Sequence, residues 1–237
     1  MQALENALFA ILNYFYGWVH DYGFAIVLLT VAVRVVLLPL TVKQIRSMHE
    51  LQRIQPKLKA LQEKYKNDKE KLQAETLKFY EEHKVNPFGG CLPTLLQFPI
   101  LIALYRTLGG TPEKPGLFLK HIASMGPAQA EAAKRFWVIL PDLTSTPKTV
   151  FGEAGLVGAL PYILLVVLFG LSVYLPQVTQ SKDRQQRMIG LYMAVMMLFF
   201  GWSVPAGVLV YWVTSSVLQL VQQYALTRAY SEKEVEK

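Results

Sequence analysis

Arg34 stands in the middle of an apolar run, residues 23–42, that contains no other charged residue. A run of this length can cross a membrane, and a charged side chain at that depth costs about 2.5–3.5 kcal/mol on insertion scales. Such a side chain is retained where it faces a protein interior or water. The chemistry open to Arg34 is therefore the recognition of an anion at membrane depth.

Polar residues on two other predicted spans fall at the depth of Arg34. At about 1.5 Å per helical residue, Arg34 lies roughly 12 Å and Gln97 roughly 13 Å from the cytoplasmic ends of their spans, level with Thr214 and Ser215. In the simpler interpretation these neutral residues only join helices by hydrogen bonds, which leaves the charge of Arg34 unexplained. We therefore predict a wet groove open toward the cytoplasm. Its lining residues are Arg34, Gln97, Thr30, Tyr211, Thr214, Ser215 and Gln219.

No Asp, Glu or His occurs in any of the five predicted spans. This absence argues against an intramembrane metal site, an acid–base dyad or proton-coupled transport, since each needs such a side chain. The single cysteine, Cys91, excludes an intramolecular disulfide and a cysteine-cluster metal site. We therefore expect no catalytic residue, no metal and no cofactor.

Long apolar stretches predict an all-α integral membrane protein with five transmembrane helices. The uncharged run 188–223 is too long for one span, and Pro205 with the neighbouring glycine supplies a break within it. The fourth span is consequently short. The predicted spans are residues 22–42, 88–108, 156–175, 188–202 and 205–223.

The segments outside the spans carry unequal charge, which predicts their side of the membrane. The hairpin segment 43–84, the loop 176–187 and the tail 224–237 together hold 17 Lys and Arg, against 5 in the loop 109–155. The positive-inside rule places the first group in the cytoplasm and the N-terminus outside. Residues 1–21 have no Lys or Arg and predict an amphipathic helix in the outer interface, with a disordered lead-in as the alternative. A second interfacial helix is predicted over 128–140.

Residues 43–84 combine high charge with helical periodicity, which predicts a cytoplasmic hairpin of two amphipathic helices. A turn signal at 66–68 separates the two helices. The alternative is a solvated linker, but a regular apolar stripe on the first helix argues against it. The stripe residues, which we expect to capture substrate, are Met48, Leu51, Ile54, Leu58, Leu61 and Tyr65.

Four segments resemble the YidC family of membrane-protein insertases, in the short form of the family that lacks the large periplasmic domain. They are VRVVLLPLTVKQ around Arg34, RIQPKLKALQEKY in the hairpin, KVNPFGGCLPTLLQFPILIALY and VPAGVLVYWVTSSVLQLVQQ. The resemblance runs over residues 8–223. It implies five spans around a hydrophilic groove that contains Arg34, a mobile cytoplasmic hairpin, and cooperation with ribosomes and the Sec translocon.

The predicted function is that of an insertase that moves hydrophobic segments of nascent membrane proteins from the cytoplasm into the bacterial plasma membrane. The sequence has no G-x-x-x-x-G-K-[ST] phosphate loop, so no ATP hydrolysis is expected. The partners are nascent membrane proteins and lipid, with no specific nucleic acid and no small-molecule substrate. Alternatives are a small-anion transporter or channel using Arg34, an intramembrane enzyme, and a folding chaperone without insertion activity.

Overall fold

The computed structural model describes residues 1–83, 85, 92–109, 115–180 and 184–235, and only the backbone of 92–96, 180, 184–186 and 229–235. These described residues form α-helices and no β-strand, which confirms the all-α prediction. The helices are α1 Gln2–Val19, α2 Tyr22–Val36, α3 Leu38–Lys64, α4 Lys69–Glu82, α5 Leu92–Leu108, α6 Leu117–Ala123, α7 Pro127–Lys134, α8 Pro147–Gln180, α9 Arg184–Gly201 and α10 Ala206–Val235.

Among the described residues, one helix is long and apolar enough to cross a membrane by itself. It covers Pro147–Thr179, with a mean hydropathy of 2.5. A second candidate arises if α2 and α3 are counted together as one span. The predicted number of five spans therefore stays a prediction.

The predicted first span, residues 22–42, is divided between two helices. α2 ends at Val36, and α3 begins at Leu38 with Pro39 in its first turn. Proline has no N–H to donate, and its ring would clash with the carbonyl four residues earlier if the helix were continuous. The helix that carries the hairpin stripe thus starts before residue 43, and it continues through Pro56 to Lys64.

Two other helices extend beyond their predicted spans. α8 begins at Pro147 and contains a kink at Gly155, whose φ of 65° and ψ of −166° are not helical, so the part after the kink corresponds to the predicted third span. α10 starts directly after Pro205 and continues into the predicted tail as far as Val235. α9 ends at Gly201, so the break that the sequence predicts lies between α9 and α10.

The chain forms two compact units, of which the first comprises Met1–Val35 and Pro99–Gln222. Its core is dense at one end of the helices. α10 is buried from Ala206 to Tyr211, and the buried side chains of α2 are Tyr22, Ala25, Ile26, Leu29 and Thr30. Beyond these positions both helices are largely half-buried or exposed. The largest fully buried side chains of this core are Tyr22, Tyr162, Tyr211, Phe118 and Phe169.

The loop before α8 holds the first turn of α10. The N–H of Ala206 donates to the carbonyl of Ser145 at 3.0 Å, and the N–H of Gly207 donates to that of Leu143 at 2.8 Å. Asp142 stabilises the loop, because its carboxylate accepts from Thr144 and Ser145. The first N–H groups of a helix have no partner within the helix, so these bonds fix where α10 begins.

The predicted helix over 128–140 ends early, at Lys134. Residues 136–140 instead form a tight turn, which we call the 136–140 turn. The N–H of Phe136 donates to the carbonyl of Leu140 at 2.9 Å, and the N–H of Leu140 donates back at 3.2 Å. The helix ends because Arg135 has an extended backbone, with φ of −76° and ψ of 149°. Trp137, within the turn that follows, has a left-handed φ of 44°.

The second unit comprises Val36–Phe98 and Gln223–Lys237. Within it α3 and α4 contact each other. Asp68 begins α4 as its N-cap, since its carboxylate accepts from the N–H of Lys71 at 3.0 Å. The unit buries few side chains, and among its described residues these are Thr41, Ile45, Ile54 and Val85.

Candidate functional site

Arg34 lies in the last turn of α2 and reaches two side chains of α10, all within the first unit. Its Nε donates to Oγ of Ser215 at 2.9 Å. Its Nη2 donates to Oε1 of Gln219 at 3.1 Å. Arg34 thus makes two direct hydrogen bonds to this last apolar helix.

α10 presents these groups on one face. Tyr211, Ser215 and Gln219 are spaced by four residues each, so their side chains lie one above the other along the helix. Tyr211 is fully buried, Ser215 is buried and Gln219 is half-buried. Thr214 is also half-buried, but it points about 100° away from Ser215 around the helix axis. The four-residue spacing is the sequence signal that separates Ser215 from Thr214.

Thr30 lies one turn before Arg34 on α2 and is fully buried. Its hydroxyl donates to the carbonyl of Ile26 at 2.7 Å, within the same helix. Its donor is therefore used inside α2, and Thr30 marks the inner limit of the packed core. The polar site begins one helical turn further on, at Arg34.

The charge of Arg34 has neutral partners. Within the part of the chain that the structure describes, no Asp or Glu forms an ion pair with it. By contrast, Arg106 of the same unit pairs with Glu5 at 3.4 Å. The guanidinium has five N–H donors in a planar fork. Nη1 makes no hydrogen bond to the described residues, so this edge of the fork can bind a carboxylate or phosphate oxygen.

The remaining predicted site residues belong to the second unit. Gln97 is half-buried on α5, and its place beside Arg34 stays a prediction. On α3, Ile54 is 8% exposed. The other stripe residues are half-buried: Met48, Leu51, Leu58, Leu61 and Tyr65. The stripe is therefore largely covered in this conformation.

The second unit also contains a cleft of about 510 Å³, which was not predicted from the sequence. Half of its lining residues are charged, and the full lining is Glu50, Arg53, Lys57, His83, Ile54 and Val85. The four-residue spacing of Arg53 and Lys57 on α3 was the available signal. No group of three or more His, Cys, Asp or Glu able to hold a metal occurs among the described residues.

Comparison with known proteins gives consistent matches over nearly the whole chain. The model of the 60Kd inner membrane protein family matches residues 14–234. A membrane protein insertase YidC from Syntrophobacter fumaroxidans is 36% identical over 228 residues, which are 95% of this chain and 38% of the relative. One from Geobacter sulfurreducens is 33% identical over 98% of this chain and 38% of the relative. The chain thus spans about two fifths of the length of these curated relatives.

A solved structure is also similar. The crystal structure of an active YidC insertase with its first transmembrane domain resolved has a TM-score of 0.68 and 25% identity to this chain. The similarity covers 93% of this chain and 46% of that one. On the family match, the identity to these relatives and the shared fold, the chain belongs to the 60Kd inner membrane protein family, that of the YidC membrane-protein insertases.

Proposed function

We propose that this chain inserts hydrophobic segments of nascent membrane proteins from the cytoplasm into the lipid bilayer. The observation that carries the proposal is the guanidinium of Arg34, held by Ser215 and Gln219 without an acidic partner among the described residues. A cation so placed can attract an acidic segment that passes through a hydrophilic groove. The names of the curated relatives support the same function.

The insertion step needs no nucleotide in this proposal. Transfer of an apolar segment into lipid is favourable by about 25 cal/mol per Å² of buried apolar surface. Arg34 binds the acidic flank transiently and so lowers the barrier for its polar groups. The membrane potential, worth about 2.3 kcal/mol per charge per 100 mV, then drives a negative tail outward.

The proposal includes a topology of five spans with the N-terminus outside and the C-terminus in the cytoplasm. Nascent membrane proteins and lipid are the direct partners, and ribosomes and the Sec translocon deliver substrates. The hairpin of α3 and α4 receives the substrate first. Because its apolar stripe is half-buried, this capture requires the two helices to separate.

The proposal is tested by insertion into liposomes that contain only this protein. The substrate is a single-span protein with an acidic translocated tail, and insertion is measured by protection of the tail from protease. Arg34→Ala should lower the insertion rate by about tenfold, because a charged hydrogen-bond contact is worth about 1.5–3 kcal/mol. Arg34→Lys should restore most of it, and Arg106→Ala serves as the matched arginine control.

A substrate with a neutral tail is the control for the charge of the tail. It should insert at similar rates with Arg34→Ala, Arg34→Lys and Arg106→Ala. Equal insertion of the acidic substrate by Arg34→Ala and the unmodified protein would show that the charge is not required. Chloride flux through the protein in liposomes without substrate would instead support an anion channel.

A further inference from the structure

The 136–140 turn exposes three consecutive apolar side chains at its tip. Trp137 is 65% exposed, Val138 82% and Ile139 48%. The two ends of the turn are anchored, because Leu140 is buried in the core of the first unit and Phe136 packs against that core. Exposure of three consecutive apolar side chains to water is unfavourable, and such exposed patches mark sites of contact with a protein or a membrane.

Asp21 attaches this turn to the start of α2. One carboxylate oxygen of Asp21 accepts from the N–H of Trp137 at 2.7 Å. The other accepts from the N–H of Phe24 at 3.0 Å and so caps the first turn of α2. Phe24 and Phe136 also meet edge to face at 5.2 Å. A single side chain thus connects the turn and the helix that carries Arg34.

Gly23 and Trp137 show how closely the turn is held. A Cβ at Gly23 would overlap the ring of Phe136, so glycine is the residue that permits this close approach. Trp137 adopts a left-handed backbone conformation, which is unfavourable for a residue other than glycine. The bond to Asp21 stabilises this conformation, and the result is that the tip points its side chains away from the core.

We propose that Trp137, Val138 and Ile139 insert into the interfacial layer of the bilayer and anchor this end of α2 in it. The neighbouring side chains fit a lipid surface. Phe24 on α2 is exposed beside the turn. Arg135, also exposed, precedes the tip and matches anionic headgroups. Tryptophan is the residue most typical of the membrane–water interface, because its ring is apolar and its indole N–H can stay hydrated.

The anchor fixes the depth of the charged site. Arg34 follows Asp21 by 13 residues, which is about 20 Å along a helix. With the tip in one interfacial layer, Arg34 lies in the opposite half of a hydrocarbon core of about 30 Å. Only the assignment of the tip to the outer leaflet rests on the proposed topology.

The proposal is tested with a fluorophore at the tip. Val138→Cys in a Cys91→Ser background is labelled with an environment-sensitive dye and reconstituted in vesicles containing phospholipids spin-labelled near the glycerol. Gln129→Cys, exposed on α7 of the same loop, is the matched control. We expect strong lipid quenching and weak iodide quenching at position 138, and the reverse at position 129.

Equal iodide quenching at both positions would overturn the anchor. Lipid quenching at position 138 by spin-labelled lipid confined to the cytoplasmic leaflet would retain the anchor and overturn the proposed topology, so the two failures are distinguishable. Asp21→Asn tests the attachment: a spin label at position 138 should become more mobile in this variant while the label at 129 is unchanged. An unchanged mobility of the label at position 138 would show that Asp21 does not hold the turn in place.

Discussion

The two compact units differ in how much they bury. The first unit encloses large aromatic side chains such as Tyr22, Phe118 and Phe169 with essentially no exposed surface. The second has no fully buried aromatic residue among its described side chains, and Ile54 is one of its few buried residues. The first unit therefore resists local opening, while the helices of the second open at low free energy.

This difference suits two separate tasks. A guanidinium that must meet a passing acidic segment benefits from partners held in place, and Ser215 and Gln219 belong to a helix that the dense core fixes. A hairpin that must expose a half-buried apolar stripe benefits from weak packing. We therefore expect mutations of equal size to have unequal effects in the two units.

The largest effect is expected for Tyr22→Ala. Tyr22 is fully buried, stacks on Tyr16 at 4.0 Å and donates to Asn13 at 2.7 Å. Removal of a buried aromatic side chain costs about 3–5 kcal/mol of the free energy of unfolding. Tyr22→Phe keeps the ring and should cost about 1 kcal/mol, the contribution of the hydrogen bond. Titration with a denaturing detergent, followed by circular dichroism, measures both.

Ile54→Ala provides the comparison in the second unit. Because Ile54 belongs to a unit with few buried side chains, its truncation should cost about 2 kcal/mol, the low end for such changes. A cost equal to that of Tyr22→Ala would show that the hairpin is packed as firmly as the aromatic core, and the contrast between the units would fail.

Gly23→Ala should have an intermediate effect. The added methyl overlaps the ring of Phe136, and overpacking of this kind costs about 1–3 kcal/mol. Gly17→Ala is the matched control, because nothing lies within 4 Å of its Cβ and alanine favours a helix. The unfolding midpoint should fall for the first variant and stay or rise for the second. A fall in both would point to a general intolerance of α1 and α2.

The smallest effect is expected for Asp68→Ala at the start of α4. Loss of an N-cap costs about 1 kcal/mol, which corresponds to roughly fivefold faster exchange of the amides in the first turn. Hydrogen–deuterium exchange of residues 69–72 measures this directly, and Asp68→Ser should retain most of the protection. Faster exchange in α2 or α10 as well would mean that the cap supports more than α4.

Some of the site was readable from the sequence because its signals are local. A lone arginine in an apolar run identified Arg34, and a count of residues from the span ends identified the level of Ser215. The four-residue spacing groups Ser215 with Tyr211 and Gln219 and leaves Thr214 off that face. That this face turns toward Arg34 depends on the rotation of α10, which tertiary packing sets. The helix break before Pro39 was not predicted, since the apolar run continues through it and hydropathy alone does not register the missing N–H.

The attachment of the 136–140 turn could not be predicted for a different reason. Asp21 and Trp137 are 116 residues apart, and their hydrogen bond joins a side chain to a backbone N–H. The residue type of Trp137 carries no information about such a bond, because every residue except proline has that donor. Its hydrophobicity instead suggested a longer interfacial helix, whereas the helix ends at Lys134.

Both oxygens that hold Arg34 come from α10, four residues apart. A rotation of that helix about its own axis by one residue position, about 100°, would carry both away together. A rise of one turn would exchange one for the other, because Gln219 would then stand where Ser215 had been. The orientation of the Arg34 guanidinium therefore depends on the rotation of α10 about its axis. A movement of α10 alone can redirect this charge while α2, which carries Arg34, stays in place.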